Sequence, residues 1–177
     1  MNFIRSISCT FLVLSFFSVA AQTPVQEGPA NSEAEYQQQY QERIKKDKLN
    51  GVYIPKNLDD ALLQLDKLTT PESREKFKAI PEDSVCAIMH YRLGQWIILN
   101  WGFYGGSRLS HYLKSAGITY PDDMADFIML AYSRKLNGKT VNIKELATRF
   151  REKRKQEFEK SRKKGKVLKE EKRKKNR

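Results

Sequence analysis

Trp96-Ile97-Ile98-Leu99-Asn100-Trp101-Gly102-Phe103-Tyr104-Gly105-Gly106-Ser107-Arg108-Leu109 is the run on which the fold turns. It sets four aromatics, three glycines, an asparagine and an arginine into fourteen residues. Glycine lets backbone approach backbone or a ligand, and Asn or Arg among aromatics needs hydrogen-bond partners once buried. Upstream, Val85, Ile88, Met89, Leu93, Trp96, Ile97 and Asn100 recur at helical spacing after Pro81-Glu82-Asp83. That spacing predicts one continuous helix ending near Trp101, with Asn100 extending its apolar face. Downstream, Ser107 is placed to cap a helix that carries Leu109, Tyr112 and Leu113 and stops at Gly117. Gly105-Gly106 turns the chain between them. The run is a corner between two helices.

Two readings of that corner follow from its residue types. As a binding site it consists of Asn100, Trp101, Gly105, Gly106, Ser107 and Arg108. Free backbone amides, a hydroxyl and a guanidinium at one helix N-terminus suit a small anionic ligand or a partner protein's carboxylate. Trp101, Phe103 and Tyr104 would form an aromatic wall beside it. As internal architecture, the glycines make the turn, Ser107 caps, the aromatics fill the core, and Arg108 pairs with Asp122 or Asp123. Gly-Gly-Ser-Arg is not a phosphate loop, since it lacks the lysine and the preceding strand.

Residues 22–32 are polar with Pro24, Gly28 and Pro29 and read as a flexible leader. Residues 33–49 carry only Tyr36, Tyr40, Ile44 and Leu49 as spaced apolar positions, a thin stripe that predicts a marginal helix ended by Gly51. Asn57 is an N-cap candidate before Leu58, Leu62, Leu65 and Leu68. Thr70-Pro71-Glu72 opens a short helix anchored by Phe77 and Ile80. Pro121-Asp122-Asp123 opens another, whose six consecutive apolar residues, 127–132, predict burial on all sides. Asn137-Gly138 closes that helix, and Asn142 caps Ile143, Leu146, Ala147 and Phe150. Only 52–54 and 139–141 are short extended candidates, which would pair with each other. The fold class is mainly α: a single small domain of about five to six helices, at most one short two-stranded pairing, and a charged helical tail.

Residues 1–21 read as a signal peptide, with Arg5, an apolar stretch over 7–17 and Ser18-Val19-Ala20-Ala21 for cleavage. The apolar stretch is well short of the ~20 residues needed to span a bilayer. Cys9 lies inside it without a lipobox, which argues against a lipid anchor. The remaining chain is expected to be exported, periplasmic or secreted, and not membrane-spanning. It then holds one cysteine, Cys86, so disulfides do not hold the fold together. The organisation is 22–52 leader and marginal helix, 53–150 helical domain, and 151–177 basic helical or disordered tail.

The net charge of +12 is localised. Residues 149–177 hold sixteen of the 33 Lys and Arg against five of the 21 Asp and Glu, so the rest of the chain is almost balanced. Such a tail suits an anionic membrane surface or another polyanion through counterion release, and offers no sequence-specific reading of nucleic acid.

Other chemistry is thinner. Cys86 and His90 share a helix face, but two histidines in the whole chain and no metal-ligand motif assign no metal and no cofactor. Ser107 with His111, or the pair Asp122 and Asp123, would be needed for a hydrolase-like activity on envelope material. A capping serine is occupied by backbone amides, and paired aspartates opening a helix complement its dipole. No catalytic residue is assigned.

Ile54-Pro55-Lys56-Asn57-Leu58-Asp59, the Trp96-Ile97, Asn100-Trp101-Gly102 and Gly105-Gly106-Ser107-Arg108-Leu109 segments, and Pro121-Asp122-Asp123-Met124 together resemble a bacterial domain family of unknown function. The resemblance spans about residues 53–138. It implies that this span is the domain and that the flanks are appendages. The family has no assigned activity, so no catalytic residue is carried over. The leading functional expectation is a non-enzymatic exported binding or interaction module of the cell envelope.

Overall fold

Five side chains do what their positions call for: Ser32, Asn57, Thr70, Ser107 and Asn142 each accept a hydrogen bond from the backbone amide three residues on and open a helix. In the computed structural model of the chain, Gly28 and residues 30–175 are described, with side chains through residue 164. Residues 1–27, on which the expected signal peptide, Cys9 and most of the expected flexible leader fall, lie outside the described residues. In chain order the elements are α1 (Glu33–Arg43), β1 (Lys48–Leu49), β2 (Val52–Tyr53), α2 (Leu58–Leu68), α3 (Pro71–Lys78) and α4 (Val85–Met89). A π-helical turn (His90–Gly94), α5 (Gln95–Asn100), α6 (Arg108–Ser115), α7 (Pro121–Leu136) and α8 (Ile143–Lys175) follow. The fold is mainly helical with one short antiparallel pair. No helix among the described residues is long and apolar enough to cross a membrane.

α7 is the axle. Every residue from Asp123 to Ser133 is buried, and the helix touches α2, α3, α4, the π turn, α5, α6 and α8. Tyr132 packs tilted against Phe77 of α3 with ring centroids 5.4 Å apart, and Phe127 meets the edge of Phe150 on α8 at 6.1 Å. Tyr132 keeps its hydroxyl satisfied by Asp66 and Thr69 on the rim of α2.

The single helix expected from Pro81 to Trp101 is instead α4, a π turn and α5. The π turn holds one residue more than an α-helical turn, so the inward face advances by five positions there rather than four. Val85, Gly94, Ile97, Ile98 and Trp101 are buried and Met89, Leu93 and Trp96 pack half-buried against the core, whereas Ile88 points outward and is 56% exposed. Asn100 does not extend the apolar face. Its side chain turns back and donates to the Trp96 carbonyl at 2.9 Å.

The extended pairing also differs from expectation. Val52–Tyr53 pairs with Lys48–Leu49, not with 139–141, and the register is Lys48↔Tyr53 and Leu49↔Val52. Asn50 and Gly51 both take positive φ, 49° and 78°. That is the two-residue turn whose twist matches a hairpin. The leader helix therefore stops at Arg43, and Leu49 is a buried strand residue rather than its last turn. Residues 139–141 form no strand; the Lys139 amide instead closes α7 on the Arg134 carbonyl.

Candidate functional site

The corner is built from two capping motifs placed end to end. α5 ends with Gly102 at φ +67°, the Gly102 amide on the Leu99 carbonyl and the Phe103 amide on the Ile98 carbonyl. That pair of hydrogen bonds with a left-handed glycine is how a helix satisfies its last carbonyls, and Ile98 and Phe103 are both buried in the core beside it. α6 starts with a capping box: the Ser110 amide donates to Ser107 Oγ and the Ser107 amide donates to Ser110 Oγ. Ser107 and Ser110 are both fully buried. Trp101 is buried too, edge-on to Trp96 at 5.8 Å.

Arg108 does not reach Asp122 or Asp123. Its Nε donates to the Ile54 carbonyl at 2.7 Å, and its guanidinium lies 5.0 Å from the Tyr53 ring. Tyr53 in turn donates to Asp60 Oδ2, which also accepts the Lys56 amide. Burial works to raise the Asp60 carboxyl, but the Lys56, Tyr53 and Gln64 bonds outweigh it and hold it below the usual range. Arg108 thus ties the hairpin exit and the start of α2 to α6. Asp123 is held by both Nε and Nη2 of Arg154, at 2.8 and 2.6 Å, and Asp122 lies 3.9 Å from His90.

The glycines face α1. The Cδ2–Cε2 edge of the Tyr40 ring comes so close to Gly106 that a Cβ there would sit 2.3 Å from one ring carbon and 2.6 Å from the next, and φ at Gly106 is +87°. A Cβ on Gly105 would meet the Arg43 guanidinium at 3.1 Å, and one on Gly102 would meet Leu49 at 3.0 Å and Arg43 at 3.3 Å. Arg43 Nε donates to the Gly106 carbonyl at 3.0 Å. The Tyr40 hydroxyl is hydrogen-bonded to His111 Nδ1 at 3.0 Å, and the Lys114 ammonium lies 4.7 Å above its ring. The three glycines form a cradle for a tyrosine and an arginine spaced one helical turn apart. Tyr36, Tyr40 and Ile44 were legible as a stripe, whereas Arg43 carried no signal of its own in the sequence.

The other candidate groups are held apart. Cys86 Sγ is 3.7 Å from the Asp126 carbonyl, and burial, with the Asp126 charge, pushes its thiol up to about 11. A thiol that hard to ionise is a poor nucleophile at neutral pH. His90 bonds Asp126 at 3.1 Å while His111 bonds Tyr40, so the two imidazoles are committed to different elements. Among the described residues no group of three His, Cys, Asp or Glu is arranged to hold a metal ion. Ser107 keeps its hydroxyl inside the cap.

This geometry defines a small helical domain whose corner is covered by an appended helix. Residues 54–136 match the family model of a domain of unknown function (DUF6794). No curated protein and no solved structure matches the chain. The matched span opens on Ile54, the partner of Arg108, and closes at the end of α7. It contains Gly102, Gly105 and Gly106, while Tyr40 and Arg43 lie outside it.

Proposed function

We propose that the chain is a non-enzymatic, exported interaction module of the bacterial cell envelope whose corner receives a helix. The observation that carries this is the seating of Tyr40 and Arg43 on three glycine backbones of the family domain by a helix from outside that domain. α1 itself has no buried residue, so few contacts beyond those two side chains hold it. A protein partner fits this corner better than a small anion, because Arg108 spends its Nε on the Ile54 carbonyl. The hydrolase-like alternative finds Ser107 and Cys86 in settings that do not activate them.

The test uses the full chain carrying Tyr40→Ala and Arg43→Ala and a fluorescent peptide of residues 31–46. The double variant should bind the peptide saturably. The unmodified chain should bind at least about tenfold more weakly, since its tethered α1 competes at high effective concentration. Absence of binding to both proteins would contradict the reading.

A second reading has its own observation. α8 leaves the core after Phe150 and continues to Lys175, a run of about 38 Å at 1.5 Å per residue. We propose that this arm holds the protein to an anionic surface, each cation near such a membrane contributing up to about 1 kcal/mol.

A further inference from the structure

We infer that the groove between the α6–α7 turn and α8 is a binding site for a phosphate group carried on an apolar body. A cavity of about 270 Å³ opens there, lined among others by Gly117, Tyr120, Arg151, Arg154, Lys155 and Phe158. Arg151, Arg154, Lys155 and Phe158 fall at i, i+3, i+4 and i+7, a single stripe of α8. Upstream on the same helix the core contacts are Leu146, Ala147 and Phe150. Beyond Phe150 the stripe facing the turn becomes cationic and ends on an aromatic.

The cations have distinct jobs. Arg154 is neutralised: it grips Asp123 with two nitrogens, lies 4.3 Å from the Tyr120 ring and reaches Glu157 at 3.3 Å. That arrangement fixes one wall. Arg151 packs its stem on Gly117, where a Cβ would stand 2.9 Å from its Cδ, and among the described residues donates only to the Thr148 hydroxyl. Gly117 has φ +88°, so the turn is glycine-dependent and the Arg151 stem lies against it. Neither Arg151 nor Lys155 has a carboxylate partner among the described residues. Two uncompensated cations one turn apart suit a phosphate. Tyr120 and Phe158 flank them, 52% and 68% exposed, and offer apolar surface to whatever carries that phosphate. A bare anion would use the cations and leave both rings in water. The volume suits a headgroup or a small organic phosphate, being near the lower bound of ligand pockets. This site is separate from the helix-receiving corner and stands or falls without it.

The test is an NMR titration of the full-length ¹⁵N-labelled protein at physiological salt with three soluble probes: dihexanoyl phosphatidic acid, phenyl phosphate and inorganic phosphate. Saturable shifts should appear at the Gly117–Thr119 amides and along residues 151–158. Either organic phosphate should bind at least tenfold tighter than inorganic phosphate. Arg151→Gln with Lys155→Gln should weaken that binding at least tenfold, and Phe158→Ala should remove the preference over inorganic phosphate. Both substitutions fall on exposed positions, so the fold persists in each. A lipid source is indicated if the phosphatidic acid binds tightest, and a soluble organic phosphate if phenyl phosphate equals it; both outcomes support the site. Shifts spread along all of α8, equal affinity for the three probes, or no saturation would overturn it.

Discussion

Arg108 illustrates how one side chain can look like a ligand and serve as a tie. It satisfies the carbonyl of Ile54, a fully buried residue, and its plane rests near Tyr53. Removing it leaves a buried acceptor without its charge-assisted donor, a loss of about 2 kcal/mol. Arg108→Ala should therefore lower Tm by roughly 8 °C in a domain of this size, measured by calorimetry. An unchanged Tm would return Arg108 to the role of a ligand-binding group. Cys86 carries a second prediction at this scale. Its thiol is raised in the fold to about 11 from an ordinary value near 9, so the native state holds its proton longer than the unfolded chain. Stability from this group is complete below about pH 9 and is lost as pH climbs through about 11. Alkylation of native Cys86 by iodoacetamide should stay slow at pH 8 and accelerate only above pH 10. Rapid labelling at pH 7.5 would refute the buried setting.

At the scale of elements, caps were the most legible feature and phase the least. Asn57, Thr70, Ser107, Asn142, the Pro121 start and the all-apolar stretch of α7 follow from side-chain chemistry local to each position. The burial of Phe127 to Tyr132 matches what six consecutive apolar residues require. The π turn was not legible, because a pattern matched to 3.6 residues per turn simply selects Ile88 and Asn100 and slides past the extra residue. Asn50-Gly51 was a readable hairpin signal that the expectation of a long leader helix overrode. Docking of α1 was hidden for a different reason: glycine lists no partner, and only the fold reveals which side chain a missing Cβ admits. The π turn yields its own prediction. Tyr91 is 84% exposed within it, and deleting that residue restores α-helical spacing between Met89 and the inward positions after it. The deletion variant should fold with a Tm within a few degrees of the parent and with protected α5 amides in hydrogen exchange. An added alanine at the same place should instead lose several kcal/mol by turning Ile97, Ile98 and Trp101 off the core.

For the whole molecule, a neutral helical domain stands between a short helix that folds back over its corner and a long cationic one that departs from it. The two appendages make separable claims. Ending the chain after Lys164 should leave Tm nearly unchanged, since the core contacts of α8 close at Phe150. It should also weaken salt-sensitive binding to phosphatidylglycerol vesicles; equal binding by the shortened chain would remove α8 from that role. The corner is the more consequential of the two, because the seating of α1 accounts for Gly102, Gly105 and Gly106 at once. The direct measurement is the NMR signature of the Tyr40 ring on Gly106 in the full-length protein. Nuclear Overhauser contacts between the Tyr40 Hδ and Hε ring protons and Gly106 Hα, lost in Tyr40→Ala, are the expected result. Absence of any such contact between Tyr40 and Gly106 in the parent would contradict the docking of α1 and the helix-receiving corner with it.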